Sequence, residues 1–198
     1  MVATYIAIHG KTFETMAKIL SDKGARLQYA RALRCVASQC IAYPPFPPEK
    51  LMIPYMEKSI DRIGREIAKR KNRAYPTMGW LTRKLYAKLM VPYMAIESEY
   101  DRGFYTDKRC IGCETCAKVC PTQNITMEHH APVWHHHCHG CNACVAYCPT
   151  KAIQFQKPEA YARLNTVITK RLGLPEKRKR YHNPFIKAAD LMKDRQHL

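Results

Sequence analysis

Between Cys110 and Pro149 the same cysteine pattern occurs twice. Cys110-x2-Cys113-x2-Cys116-x3-Cys120-Pro121 is followed by Cys138-x2-Cys141-x2-Cys144-x3-Cys148-Pro149. This is the spacing that wraps a 4Fe-4S cubane. Three thiolates two residues apart sit on one tight loop and take three corners, while the fourth cysteine, three residues on, turns toward the neighbouring cluster. The ligand sets therefore interleave. Cys110, Cys113, Cys116 and Cys148 are assigned to one cluster, and Cys138, Cys141, Cys144 and Cys120 to the other.

The stretches CIGCETCAKVCPTQNI (110–125) and CHGCNACVAYCPTKAI (138–153) read as an internal duplication, with shared Cys, Gly, Pro, Thr and Ile at matching places. A pair of equivalent cluster sites demands such a repeat. Gly112 and Gly140 let the backbone turn closely enough for amide hydrogens to face the sulfurs, and those hydrogen bonds tune reduction potential. Pro121 and Pro149 end the short helices that follow each loop. Zinc is the competing reading, because paired CxxC motifs also build tetrahedral S4 sites. A zinc ribbon needs only two cysteines per arm, however, and leaves the third cysteine and the CxxxCP step without a purpose.

With 198 residues the chain holds one domain or two small ones. Ten cysteines would suit an oxidised secreted protein. Eight are committed to clusters, and the N-terminus, MVATYIAIHG, shows neither a basic region nor a long apolar one. No secretory leader and a reducing cytoplasm are the expectation. Cys35 and Cys40 are left over and read as small buried hydrophobes. No run approaches the ~18 apolar residues of a membrane span, since LYAKLMVPYMAI at 85–96 is broken by Lys88 and Pro92.

The formal charge is +17. Residues 1–103 carry 18 Lys/Arg and 9 Asp/Glu, residues 104–156 carry 4 and 3, and residues 157–198 carry 11 and 4, giving +9, +1 and +7. Bound clusters add negative charge to the middle segment, leaving basic flanks that suit an acidic protein partner. Nucleic acid is the weaker reading, because no stacking aromatics interleave the basic run.

Thr4–Ile8 reads as a buried strand and Thr12 as the cap of a helix through Asp22 with Phe13, Met16 and Leu20 inward. A second strand is expected within 26–36, completing a βαβ unit with a parallel pair. After the stiff Tyr43-Pro-Pro-Phe-Pro-Pro48 linker, a helix over 48–73 places Met56, Ile60, Ile63 and Ile67 on one face and Lys58, Arg62, Arg65 and Lys69 opposite. A helix over 79–96 has Leu81, Leu85 and Leu89 as its apolar edge. Residues 125–137 read as a hairpin carrying Trp134 toward the clusters, its histidines solvated or packed rather than ligating. Ile111, Val119, Ile125, Trp134, Val145 and Ile153 are the expected dry shell. Beyond Phe155 come a helix over 159–172, a solvated basic loop at 175–180 and a last short helix.

At FYTDKRCIGCETCAKVCPTQNI, at APVW before Cys138, at CNACVAYCPTKAI and at RYHNPFI near the end, the chain resembles the prokaryotic flavodoxin–ferredoxin fusion proteins. In these a flavodoxin-like domain precedes a two-cluster ferredoxin. The likeness extends more weakly over YIAIHG and the helix after Pro48. It implies an α+β fold, a bacterial two-cluster ferredoxin-like module preceded by a partial flavodoxin-like βαβα segment. The implied divisions are a truncated flavodoxin-like segment (1–75), a helical linker (76–103), the ferredoxin domain (104–156) and a basic helical extension (157–198). Gly10, Lys11 and Thr12 fall where the family's loop approaches the flavin ring. The family's Thr/Ser/Gly-rich phosphate loop, which cradles FMN at a helix N-terminus, has no counterpart here. That counts against FMN binding by this chain alone, and suggests that another polypeptide supplies the missing half.

The function expected is electron transfer through two 4Fe-4S clusters to or from a partner redox protein with an acidic surface, in an anaerobic cytoplasm. That makes the chain an electron carrier or electron-transfer subunit rather than a stand-alone enzyme. The alternative is an electron-feeding subunit of a flavin-dependent oxidoreductase whose flavin site is completed by another chain. No side chain is expected to do acid–base or nucleophilic work, because the inorganic cofactor carries the chemistry.

Overall fold

A computed structural model describes residues 1–5, 9–37, 41, 45–89, 97–156, 179–181 and 183–193. The chain divides into two compact units, Met1–Ala37 with Phe46–Val91, and Ser38–Pro45 with Pro92–Leu198.

In the N-terminal unit, β1 (Val2–Tyr5), α1 (Thr12–Asp22) and β2 (Arg31–Arg34) form the expected βαβ unit. The two strands pair in parallel from Val2↔Arg31 to Tyr5↔Arg34, and the Met1 ammonium donates to the Tyr29 carbonyl at 2.7 Å. The first strand begins at Val2 rather than Thr4, and residues 6–8 lie outside the described residues. The second contracts to four residues, matching the four that β1 offers as partners. Lys11, not Thr12, holds the cap position of α1; Thr12 lies inside the helix, its hydroxyl turned back to the His9 carbonyl at 2.8 Å. At the other end Gly24 and Ala25 donate to Ser21 and Leu20 (3.0 and 2.8 Å), a Schellman closure that satisfies the last carbonyls.

The helix after the linker, α2 (Glu49–Ala68), stops short of Arg73. Its inward stripe is Met52, Ser59 and Ile63, while Ile60 and Ile67 are exposed. The reason is an anchor beyond the hydrophobic pattern. Glu66, on the same stripe, accepts from Arg31 Nε (2.9 Å) and Tyr29 Oη (3.0 Å), and this turns the helix away from the Ile60/Ile67 edge. Helix α3 (Trp80–Leu89) likewise leaves Leu81 and Leu85 exposed. Its half-buried residues are Arg83, which pairs with Glu14 at 3.3 Å, and Tyr86, whose hydroxyl leaves little space beside Gly10. Residues 90–96 of the expected helix lie outside the described residues, as does Cys40. Cys35 is half-buried, and burial pushes its thiol pKa up.

The second unit begins with a 3-10 turn, Glu97–Gly103, leading into β3 (Phe104–Thr106). Then come α4 (Thr115–Val119), β4 (Ile125–Glu128), β5 (Ala131–Trp134), α5 (Ala143–Ala146), β6 (Ile153–Phe155) and α6 (Ala188–Lys193). β3 pairs antiparallel with β6, Phe104 opposite Phe155. β4 and β5 make the expected hairpin, Ile125 opposite Trp134. Its two turn residues, His129 and His130, both have positive φ (48° and 64°), the twist that a two-residue hairpin loop requires.

Tyr100, Val145, Ile153, Val119, Phe155 and Ile125 are buried, and the Phe104 ring meets Phe155 edge-on (5.4 Å) and Trp134 at a tilt (5.8 Å). A Cβ on Gly103 would stand 2.3 Å from the Gln156 carbonyl and 2.6 Å from the Phe155 ring, so this crossing of chain ends admits no side chain. The helix expected over 159–172 lies outside the described residues. Of the basic run 175–180, Lys179 is exposed but Arg180 is buried, a correction to its reading as wholly solvated.

Candidate metal centre

Each half of the duplication builds one loop by the same backbone device. Gly112 and Gly140 (φ 65° and 63°), Glu114 and Asn142 (61° and 59°), and Gln123 and Lys151 (52° and 55°) are left-handed at matching places. Glu114 and Asn142 stand at the N-caps of α4 and α5, so each helix starts directly behind two cysteines and buries the third, Cys116 or Cys144. Four of these six residues are not glycine, and such conformations persist only where the surroundings impose them.

The loops border two small cavities. Cys110, Cys113, Cys116 and Cys148 line one; Cys120, Cys138, Cys141 and Cys144 line the other. Each thus takes three cysteines from one loop and a fourth from the CxxxCP arm of its neighbour. All eight are free thiols. Among the described residues no group of three or more His, Cys, Asp or Glu is placed to hold a metal ion. Thiols spread around a cavity suit a polynuclear cluster, whereas an S4 zinc site draws its sulfurs onto one point.

Two backbone amides face the sulfurs as donors, while Cys110 Sγ donates to the His130 carbonyl at 3.8 Å and Cys113 Sγ to Thr115 Oγ1 at 3.4 Å. Gly140 N donates to Cys138 Sγ and Asn124 N to Cys120 Sγ, both at 3.3 Å. The Thr122 and Thr150 hydroxyls lie 3.5 and 3.7 Å from Cys120 and Cys148. Burial pushes the Cys116 and Cys138 thiols up to about 11 and Cys144 well above its ordinary value. Cys148 goes the other way: burial raises it, but backbone hydrogen bonds at Ile153, Ala152 and Thr150 and the Thr150 hydroxyl hold it below its ordinary value. Ligation requires the thiolate, so protons leave the buried thiols when metal enters.

Of the expected dry shell, Ile125 and Trp134 line the cavity of Cys120 and Ile153 that of Cys110, while Val119 and Val145 are buried but border neither cavity. Ile111 departs from expectation. It borders the Cys110 cavity but is 68% exposed, because it sits on the outward side of its loop between Cys110 and Gly112. Cys113 and Cys141 are exposed as well. The histidines serve the scaffold: His135 Nε2 meets Thr126 Oγ1 at 2.8 Å, and His137 N donates to Asn124 Oδ1 at 2.6 Å.

Three residues around the site escape sequence reasoning. Asp101, buried, accepts from Asn124 Nδ2 at 2.9 Å. Asn124 stands where the other half of the duplication has Ala152, and that break in the repeat was the available signal. Arg180 ends a run of basic residues and opens the RYHNPFI stretch, which was the available signal that it differs from its neighbours. Its guanidinium donates to the carbonyls of Ile153 (2.7 Å), Lys151 (2.9 Å) and Val145 (3.3 Å). The Tyr147 hydroxyl donates to the Ile186 carbonyl at 3.1 Å, which ties the C-terminal segment down further.

No curated protein and no solved structure matches the chain. The flavodoxin-like reading of residues 1–75 therefore rests on sequence resemblance alone. Residues 104–155, the stretch from β3 to β6 that holds both cysteine loops, match the family model of the 4Fe-4S dicluster domain, and with it iron–sulfur electron transfer.

Proposed function

We propose that this chain passes electrons through two 4Fe-4S clusters to or from a partner redox protein. Cys110, Cys113, Cys116 and Cys148 would hold one cluster, and Cys120, Cys138, Cys141 and Cys144 the other. The observation that carries this reading is the crosswise sharing of cysteines between two cavities. Such clusters supply one-electron redox chemistry, at potentials set by charge, hydrogen bonds to sulfur and solvent exposure.

The chain's own residues do the rest. Ile125 and Ile153 put apolar surface on the cavity walls. The amides of Asn124 and Gly140 stabilise charge on sulfur. Cys113 and Cys141, on the exposed rim, are the points of closest approach for a partner. A net charge of +17 suits a partner with an acidic surface. Residues 104–156 form the electron-transfer domain in this reading, 1–75 a truncated flavodoxin-like segment, 76–103 a helical linker and 157–198 a basic extension, in an anaerobic cytoplasm.

Oxygen-free purification followed by iron and sulfide analysis is the test. About eight irons per polypeptide are expected, with a visible spectrum that bleaches on reduction. Zinc in place of iron, or far fewer irons, sinks the proposal.

One observation favours the related reading of an electron-feeding subunit within a flavin enzyme. The β1–β2 sheet has two strands among the described residues, and Leu51, Trp80, Leu81 and Leu85 of the same unit are more than half exposed. A two-stranded sheet is marginal in water, and apolar surface of this kind seeks cover. FMN copurifying in fixed ratio with a second polypeptide would support it.

A further inference from the structure

We propose that two buried charges make the paired cavities electrostatically unequal. The cluster held by Cys120, Cys138, Cys141 and Cys144 then has the lower reduction potential, and the one held by Cys110, Cys113, Cys116 and Cys148 the higher. The inference rests on the two-cluster reading above and assigns it a direction: an electron relays through the first site and rests at the second.

The negative charge is Asp101. Its side chain is fully buried, and it is bridged to the first cavity by Asn124, which donates to it through Nδ2 and to Cys120 Sγ through its backbone amide. His136 Nδ1 reaches the same carboxylate from the solvent side at 3.1 Å, but that ring is half exposed and open to screening. The duplication cannot reproduce this bridge in the other half, where Ala152 replaces Asn124.

The positive charge is Arg180. It is 7% exposed, and two of the three carbonyls it binds belong to the chain leaving Cys148. Lys151 N donates back to Cys148 O at 3.2 Å, and Ile153 is a wall of the Cys148 cavity. Arg180 thus fastens the one ligand that crosses into that cavity and leaves a fixed cation behind it. Both charged residues come from outside the repeated segment, so neither has a symmetric copy within it.

A buried carboxylate disfavours adding an electron nearby and a buried guanidinium favours it. Neither is weakened by salt as a surface charge is. A unit charge about 10 Å away at an effective dielectric near 20 shifts the reduction equilibrium on the order of tenfold, which for a one-electron couple is about 59 mV.

The test is an anaerobic redox titration, followed by paramagnetic resonance, of the full chain and of Asp101→Asn, Arg180→Gln, Arg180→Lys and the double variant Asp101→Asn/Arg180→Gln. Iron is counted first. A wild-type chain without about eight irons refutes the two-cluster reading rather than this inference. With iron in place, wild type shows two separated couples. Asp101→Asn raises the lower one about tenfold in equilibrium constant and Arg180→Gln lowers the upper one by a similar factor. Arg180→Lys keeps the upper couple near wild type, and in the double variant the couples converge, at low and high salt alike. Coincident couples in wild type, or a gap unchanged by the substitutions, overturn the inference. Should Arg180→Gln fail to retain iron, Asp101→Asn decides alone, and a lower couple that does not rise overturns it.

Discussion

The cysteine-bearing unit and the N-terminal unit hold their shapes by different means. In the first, order is written into short loops: six left-handed residues at matching places and two short helices surround two thiol-lined cavities, over buried side chains such as Tyr100, Val145 and Ile153. In the second, α2 packs on β2, with Phe13, Met52 and Ile63 inward while Trp80, Leu81 and Leu85 face outward. A loop that must carry ligands is specified by local backbone and spacing. A helix face is specified only by what covers it.

Removing metal should expose this difference most sharply. In small metal domains binding contributes on the order of 10 kcal/mol to folding. Anaerobic chelation is therefore expected to abolish amide-exchange protection over 104–156 while α1 and α2 keep theirs. Retained protection through both cysteine loops in the iron-free chain would break the contrast.

The converse experiment strikes the other unit. Phe13 is fully buried, its ring 5.4 Å from His9. Phe13→Ala should cost about 3–5 kcal/mol by cavity creation, read as a lowered unfolding midpoint for α1 and α2. Iron per chain should stay at the wild-type value; its loss would mean that the two units do not fold separately.

Gly103→Ala places a methyl against the Gln156 carbonyl and the Phe155 ring. Overpacking of this kind costs on the order of 1–3 kcal/mol. Denaturant unfolding should show the loss in the cysteine-bearing unit. An unchanged midpoint would mean that the β3–β6 crossing yields to accommodate the methyl.

Acid should weaken both units by a smaller amount and by one mechanism. Hydrogen bonds from Arg31 hold the Glu66 carboxyl down to about 2, and those from Arg109 hold Asp107 down to about 2. Both pKa values lie below the ordinary carboxylate range, so the stabilisation is present above that range and is lost as pH falls from about 4 toward 2. Unfolding midpoints measured across that window should fall for wild type. They should fall less for Glu66→Gln in the N-terminal unit and for Asp107→Asn in the other.

What was legible in the sequence follows the same division. Cysteine spacing assigns two sets of four, and the cavities gather those same sets, because a CxxC step leaves little freedom in where its sulfurs go. The hairpin and the parallel βαβ pair were legible from alternation and from the strand–helix–strand order. The inward stripe of α2 was not, because Glu66 anchors it through Arg31 and Tyr29, residues far away in sequence. Asp101 and Arg180 were hidden for a related reason. Burial of a charge depends on partners that arrive from elsewhere in the chain, here an asparagine side chain and three carbonyls.

The smallest expected effect tests the outward face of α3 directly. Leu81 is 65% exposed and Leu85 54%, while Lys84 Nζ lies 5.2 Å from the centre of the Trp80 ring. With these side chains open to water, truncating them removes contacts with water rather than with protein. Leu81→Ala and Leu85→Ala should then each shift stability by less than about 0.5 kcal/mol, since alanine is itself a strong helix former and offsets part of any loss. A cost of about 2 kcal/mol or more, the range for emptying a packed leucine site, would show that the face is covered in the native protein. The helix would then belong with the packed side of the comparison, and its apolar edge would have been read correctly from its spacing.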